Sequence, residues 1–314
     1  MNRPCGPCSS IWTKKKPGQC RTAAEEERMG ELVLAAKVTH VPTMLMSEQE
    51  GPLKGCRQQA IDGHREIGRR ARAAGADTFV VLDTHWMVNA GYHVNALPRF
   101  TGCYASHEFP QFIRDMDYDY DGNPALGDLI ADYASAEGTH TLSHQVESLD
   151  LEYGTLVPMR FMNADRALKV VSVSAMCQVH SHESSRKVGV GIRKAIEASD
   201  AKVALIASGS LSHHIWPTEI YAENNGTFTI SKEFNRQVDL MVLDMWRRGD
   251  IETFLKILPD YAEQCDGEGN MHDTVMLMAA LGWDDYRGRG EVIGAYFPSS
   301  GTGQANVVFD LEGA

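Results

Sequence analysis

Two apolar runs of this sequence lead directly to a histidine: Glu31 to Lys37 runs on to His40, and Thr78 to Leu82 runs on to His85. Short runs rich in Val, Leu and Ala read as buried strands. In an open α/β sheet, parallel strands deliver their C-terminal ends to one edge, where ligands bind. A third run, Val203 to Ser208, passes into Gly209-Ser210-Leu211-Ser212-His213-His214, so another imidazole follows a strand tip. An imidazole with a pKa of about 6.5 can move protons at neutral pH. The residues alone leave open which of His213 and His214 faces inward. Glu268 stands between two glycines, just before an apolar helical run containing Val275, Met276, Met278, Ala279 and Leu281. A carboxylate held in a turn at a helix start is well placed to be a fixed anionic ligand. Each of these residues alone is more readily a cap or a surface group. Together, two histidines and a carboxylate form the ligand set of non-haem Fe(II) oxygenases, and they also suit catalytic zinc.

The scaffold needed to gather them is visible in the same pattern. Between the first two strands, Ala60, Ile61, His64, Ile67, Gly68 and Ala71 recur at helical spacing, which supplies the crossover helix of a βαβ unit. Strands are predicted near Leu32 to Val38, Thr78 to Asp83, Leu168 to Ser174 and Val203 to Ser208. Helices are predicted near Gly55 to Ala74, Pro124 to Glu137, Glu183 to Ser199, Lys232 to Arg248, Ile251 to Ile257 and Asp273 to Leu281. The polar, aromatic stretches Tyr92 to Tyr120 and His140 to Tyr153 read as loops or an edge hairpin over the site. The expected fold is α/β, a mostly parallel central sheet flanked by helices. The metal site lies at the C-terminal edge of its strands, and a single catalytic domain covers residues 29–314.

Composition narrows the function classes. The chain has 314 residues, a formal net charge of −12 and 43% hydrophobic residues, ordinary for a soluble enzyme with a sizeable core. No basic stripe occurs beyond Lys14-Lys15-Lys16, which argues against a nucleic-acid surface. No apolar run reaches the roughly 18 residues of a membrane span, so no membrane partner and a cytoplasmic location are expected. Seven cysteines are scattered without a framework spacing and read as free thiols. Cys5 and Cys8 have the C-x-x-C spacing, but no second pair follows them at a zinc-ribbon distance. Residues 1–28 read as a disordered leader or, with Met29-Gly30 as an alternative start, an artefact of gene annotation. No dinucleotide fingerprint, phosphate loop or nucleophile elbow is present.

Eight segments carry a more specific signal. Thr39-His40-Val41-Pro42, Gly55-Cys56-Arg57-Gln58, Ala60-Ile61-Asp62-Gly63-His64 and Asp83-Thr84-His85-Trp86 come first in the chain. They are followed by Leu151-Glu152-Tyr153-Gly154-Thr155-Leu156-Val157-Pro158, Ser208-Gly209-Ser210-Leu211-Ser212-His213, Gly267-Glu268-Gly269-Asn270-Met271-His272-Asp273 and Phe297-Pro298-Ser299-Ser300-Gly301-Thr302-Gly303-Gln304. In this order the sequence from Met29 onward resembles the class III extradiol ring-cleaving dioxygenases.

The resemblance implies that His40, His85 and Glu268 hold Fe(II), with Mn(II) able to take its place, and that His213 is the acid/base residue. It implies O₂-dependent cleavage of a catechol in aromatic degradation, with 3,4-dihydroxyphenylacetate giving 5-carboxymethyl-2-hydroxymuconate semialdehyde, by a homo-oligomer. Arg57, Arg160 and the Ser299-Ser300 loop are candidates for the substrate carboxylate. His144 and Tyr153 are candidate pocket donors, and His64 and His272 either orient ligands or pack. Alternatives are a related dioxygenase for another catechol or an aminophenol, a metal-binding relative without oxygenase chemistry, and a zinc hydrolase.

Overall fold

Burial on both faces explains why the central strands lack polar alternation. The computed structural model describes residues 29–312. The leader expected over residues 1–28, with Cys5, Cys8 and Cys20, lies outside the described residues. The strands are β1 (Glu31–Val38), β2 (Thr78–Met87), β3 (Tyr92–Asn95), β4 (Arg99–Tyr104), β5 (Met116–Asp121), β6 (Thr141–His144), β7 (Lys169–Met176), β8 (Lys202–Ser208), β9 (Gly290–Val292), β10 (Phe297–Ser299), β11 (Thr302–Gln304) and β12 (Val307–Phe309). The helices are α1 (Thr43–Glu48), α2 (Gln58–Ala73), α3 (Pro124–Ala136), α4 (Tyr153–Met162), α5 (His182–Ala198), α6 (Thr218–Tyr221), α7 (Glu233–Arg248), α8 (Ile251–Gln264) and α9 (His272–Leu281).

Eight strands form one sheet in the order β6-β3-β7-β2-β8-β1-β12-β9. The central four, β7, β2, β8 and β1, are mutually parallel, and β12 and β3 pair antiparallel on either side of them. Alternate residues feed two separate cores. Leu32, Ala35, Val80, Leu82, Val203 and Leu205 pack on one face, while Leu34, Ala36, Phe79, Val81, Ala204 and Ile206 pack on the other. Strands covered on both faces in this way read as continuous apolar runs. The mostly parallel α/β sheet is as expected.

One detail differs. β1 and β2 are not adjacent, because β8 lies between them and pairs with both. The connection through α2 therefore spans one strand position, and the end of β8 comes to lie between the two histidine-bearing strands. Among the departures from the sequence pattern, three have plain physical reasons. In α4 nine of ten residues are buried and Pro158 sits inside, so the helix shows no amphipathic stripe. α8 continues past Ile257 through Pro259, a residue that normally argues for a stop. β12 is only three residues long. The stretch from Tyr92 becomes β3 within the main sheet, followed by a β4–β5 hairpin. Cys56, Cys103, Cys177 and Cys265 are free. No helix among the described residues is long and apolar enough to cross a membrane.

Beneath the C-terminal edge of the sheet, Lys37 Nζ donates to Asp273 Oδ2 at 2.7 Å, with the two residues 1% and 0% exposed. The pair ties β1 to the start of α9, five residues beyond Glu268. Removing one member of a buried pair leaves an uncompensated charge. Asp273→Ala is expected to lower the unfolding free energy by about 3–5 kcal/mol. The double variant Lys37→Met, Asp273→Leu should recover most of that loss in denaturant melts, and equal losses in the two proteins would refute the charge-burial account.

Candidate metal centre

Three side chains converge where β1, β2 and β8 end. His40 follows β1, His85 lies in β2, and Glu268 occupies a short 3₁₀ turn, Glu268–Met271, ahead of α9. Their ligand atoms all lie within 4.8 Å of one another. His40 Nε2 is 3.0 Å and His85 Nε2 3.3 Å from the same oxygen, Glu268 Oε1, and the two imidazoles meet edge to face at 4.7 Å. Two imidazole nitrogens and a carboxylate oxygen at such separations fit a divalent first-row metal.

The surroundings fix which nitrogen of His40 points at that position. Pro158 has no N–H, so the carbonyl of Gly154, four residues earlier, lacks its helical donor. That carbonyl instead accepts from Ser208 Oγ at 2.5 Å. With its own proton committed there, Ser208 Oγ is the acceptor for His40 Nδ1–H at 2.9 Å, and His40 Nε2 is the nitrogen turned toward Glu268. Hydrogen bonding of the remote nitrogen is the usual way a metal-binding imidazole is oriented. His85 is held differently. Its backbone N–H donates to Asp83 Oδ1 at 2.8 Å, while Thr155 Oγ1 donates to Asp83 Oδ2 at 2.6 Å. The Tyr153 ring lies on the imidazole with centroids 3.8 Å apart, and Glu108 Oε2 is 3.4 Å from His85 Nδ1. Asp83 also explains Gly154, because a Cβ there would come within 2.1 Å of Asp83 Oδ1.

Glu268 is 3% exposed. Its Oε1 accepts from Thr84 Oγ1 and its Oε2 from the backbone N–H of Ser210, each at 2.5 Å. The turn around it stores backbone strain. Asp266, Gly269, Asn270 and Met271 all have φ between 51° and 61°, a region costly for a side chain such as that of Met271. Burial of the Met271 side chain, 0% exposed, holds it there. Burial alone would raise the Glu268 pKa, but the neighbouring imidazoles, His40 first, outweigh it and hold the carboxyl well below its ordinary value. Burial likewise opposes a charge on His85, yet the Glu108 and Glu268 carboxylates prevail and lift it to about 9.

The cluster opens into a cavity of about 280 Å³ lined by His40, His85, Glu268, His213, Tyr153 and Glu108, among others. His213 Nε2 lies 3.8 Å from Glu268 Oε2. Burial, together with His85 and His40, keeps its pKa below the ordinary imidazole value, so it is neutral at pH 7 and able to take a proton. His214 turns away, its Nδ1 2.7 Å from Asp266 Oδ2. Tyr153 donates to Glu108 Oε2 at 3.0 Å, and Ser299 and Ser300 line the cavity. The other candidates lie elsewhere. His144 pairs with His93 across β6 and β3 at 2.6 Å. Arg160 pairs with Glu48 at 2.6 Å. His272 bonds Ser185 Oγ at 2.7 Å. His64, whose pKa burial pushes down to about 4, has its ring nitrogens 2.9 Å from Ala60 O and Thr39 O and, being neutral, donates to one of the two, packing α2 against the residue before His40. Glu108 carries no sequence signal that separates it from ordinary polar residues, while Thr84 and Ser208 stand in two of the family-like segments without a role the residues themselves could assign.

The family model for the catalytic LigB subunit of aromatic ring-opening dioxygenase matches residues 34–310. The chain belongs to the LigB family. A 3,4-dihydroxyphenylacetate 2,3-dioxygenase of Escherichia coli is 54% identical over 261 residues, 83% of this chain and 94% of that relative. A 2-aminophenol 1,6-dioxygenase beta subunit of Pseudomonas sp is 22% identical over 297 residues, 90% of this chain and 95% of that one. A crystal structure of an uncharacterized protein from Escherichia coli K12 superposes with a TM-score of 0.56 at 16% identity. It covers 88% of this chain and 100% of its own, and the likeness shows a shared fold. The protein is an aromatic ring-opening dioxygenase of the extradiol kind, and its family implies a catalytic metal.

In this LigB chain, a metal held by His40, His85 and Glu268 would have to displace a proton from His85. Apparent Mn(II) affinity, measured anaerobically by titration between about pH 6 and 8, should therefore rise about tenfold per pH unit, because the displaced group titrates near 9. A flat profile would mean that no proton is released. His40→Ala, His85→Ala and Glu268→Ala should each abolish metal retention through gel filtration. His213→Ala should retain one equivalent by metal analysis, and its loss there would break this division of roles.

Proposed function

We propose that the protein is an Fe(II)-dependent dioxygenase that opens 3,4-dihydroxyphenylacetate next to its hydroxyls, giving 5-carboxymethyl-2-hydroxymuconate semialdehyde. The observation that carries this reading is the 54% identity to the Escherichia coli enzyme of that name across 94% of its length. His40, His85 and Glu268 are the proposed ligands, and Mn(II) suits the same set. A redox-active divalent ion bound by them supplies the electronic link that a spin-paired catechol and O₂ lack.

The chain's own residues do the rest. His40 and His85 face the cavity from one wall and leave its open side to the substrate hydroxyls. His213, neutral and beside Glu268, takes a catechol proton as the substrate docks and returns it when the ring opens, the two halves of general acid–base catalysis. Tyr153 is raised above its ordinary pKa by burial and then by Glu108 and Glu268. It stays protonated, and its ring fixes the plane of His85. A cytoplasmic homo-oligomer completes the reading by family analogy.

The test is oxygen uptake by anaerobically Fe(II)-loaded protein on adding 3,4-dihydroxyphenylacetate, with the yellow product followed in parallel. One O₂ per substrate together with the colour is the expected result. Fe(II)-loaded protein that consumes no O₂ with this catechol would refute the proposed substrate. His213→Ala should lose about 100- to 10,000-fold in kcat.

A further inference from the structure

No lysine or arginine among the described residues lines the cavity, whose carboxylates, Glu108 and Glu268, both lie beside His85 in the proposed metal cluster. An anionic catechol entering it needs a compensating cation besides the metal. Arg57, immediately before α2, is buried at 6% exposure. No carboxylate among the described residues sets its charge environment, whose neighbours are Cys56 and Tyr221. Its Nε donates to Thr43 Oγ1 at 3.0 Å and an Nη donates to the Thr227 carbonyl at 2.5 Å. The rings of Phe297 and Phe228 flank the guanidinium at 4.8 and 5.1 Å. A buried cation without a carboxylate partner is costly unless something anionic comes to it. Arg160, by contrast, is already paired with Glu48.

Thr43 and Thr227, which Arg57 holds, both line the cavity, so the guanidinium stands one residue behind its surface. In front lies a row of hydroxyls: Thr43 Oγ1 is 3.3 Å from Ser299 Oγ, and Tyr221 OH is 3.3 Å from Thr227 Oγ1 and 3.1 Å from Ser300 Oγ. None of them bonds to His40, His85 or Glu268, so this wall is chemically separate from the metal ligands. We propose that Arg57, acting through the hydroxyls of Thr43, Tyr221 and Ser300, is the carboxylate-recognition wall of the cavity and sets a preference for catechols with a short anionic side chain. The proposal rests on the catechol reading above and names its specificity determinant.

The experiment measures anaerobic binding of two probes, 3,4-dihydroxyphenylacetate and uncharged 4-methylcatechol, to Fe(II)-loaded protein, with O₂ uptake recorded separately. Wild type should bind the anion at least about 30-fold more tightly. Arg57→Met should erase that preference, and Arg57→Lys, which keeps the charge without the fork, should retain part of it. Tyr221→Phe leaves the guanidinium in place and should weaken anion binding alone by about 3- to 10-fold, which covers the case of an unfolded Arg57→Met. Equal losses for both probes in Arg57→Met and in Tyr221→Phe, or an anion preference unchanged in both, would overturn the proposal. Arg57-dependent anion binding without O₂ uptake would uphold it and overturn the reaction instead.

Discussion

A carboxylate that is 3% exposed has to be compensated from every side, and much of this site follows from how Glu268 is satisfied. One oxygen takes Thr84 Oγ1 and faces both imidazoles, and the other takes the Ser210 backbone N–H. Those partners come from the ends of β1, β2 and β8, so the three strand tips cannot separate without stranding the charge. The left-handed turn from Gly269 to Met271 is tolerated because it delivers the carboxylate to that junction. Lys37 and Asp273 fasten the same turn to β1 from below.

The position of β8 gives the site its internal order. Lying between β1 and β2, it ends at Ser208, whose hydroxyl meets His40 and whose carbonyl lies 2.9 Å from Thr84 Oγ1, the hydroxyl it shares with Glu268. One residue therefore touches the environments of two of the proposed ligands, His40 and Glu268. Direct pairing of β1 with β2 would have brought the histidines to one edge equally well, but it would have left His40 without the partner that selects its tautomer.

His40, His85 and Glu268 were legible in the sequence because each stands at a punctuation mark: the end of an apolar run, or a glycine-flanked turn before one. The central strands were legible for the same reason. Glu108 was not, since an acidic residue in a polar loop looks the same whether it faces solvent or His85. Arg57 and Arg160 were equally plausible as sequence features, and only burial and pairing distinguish them. α4 was hidden because a helix buried on nearly all sides has no stripe, and its proline argued for a break. His213 and His214 became distinct only when Asp266 was seen to hold the second of them.

Pro158 has a consequence that extends beyond α4. By withholding one backbone donor it starts a relay of committed hydrogens, from Ser208 to Gly154 and from His40 to Ser208, that runs from the middle of a helix to the tip of β1. The turn of the His40 ring is thereby set by a residue that never touches it, and a substitution at position 158 would reach the imidazole through two hydrogen bonds rather than by contact.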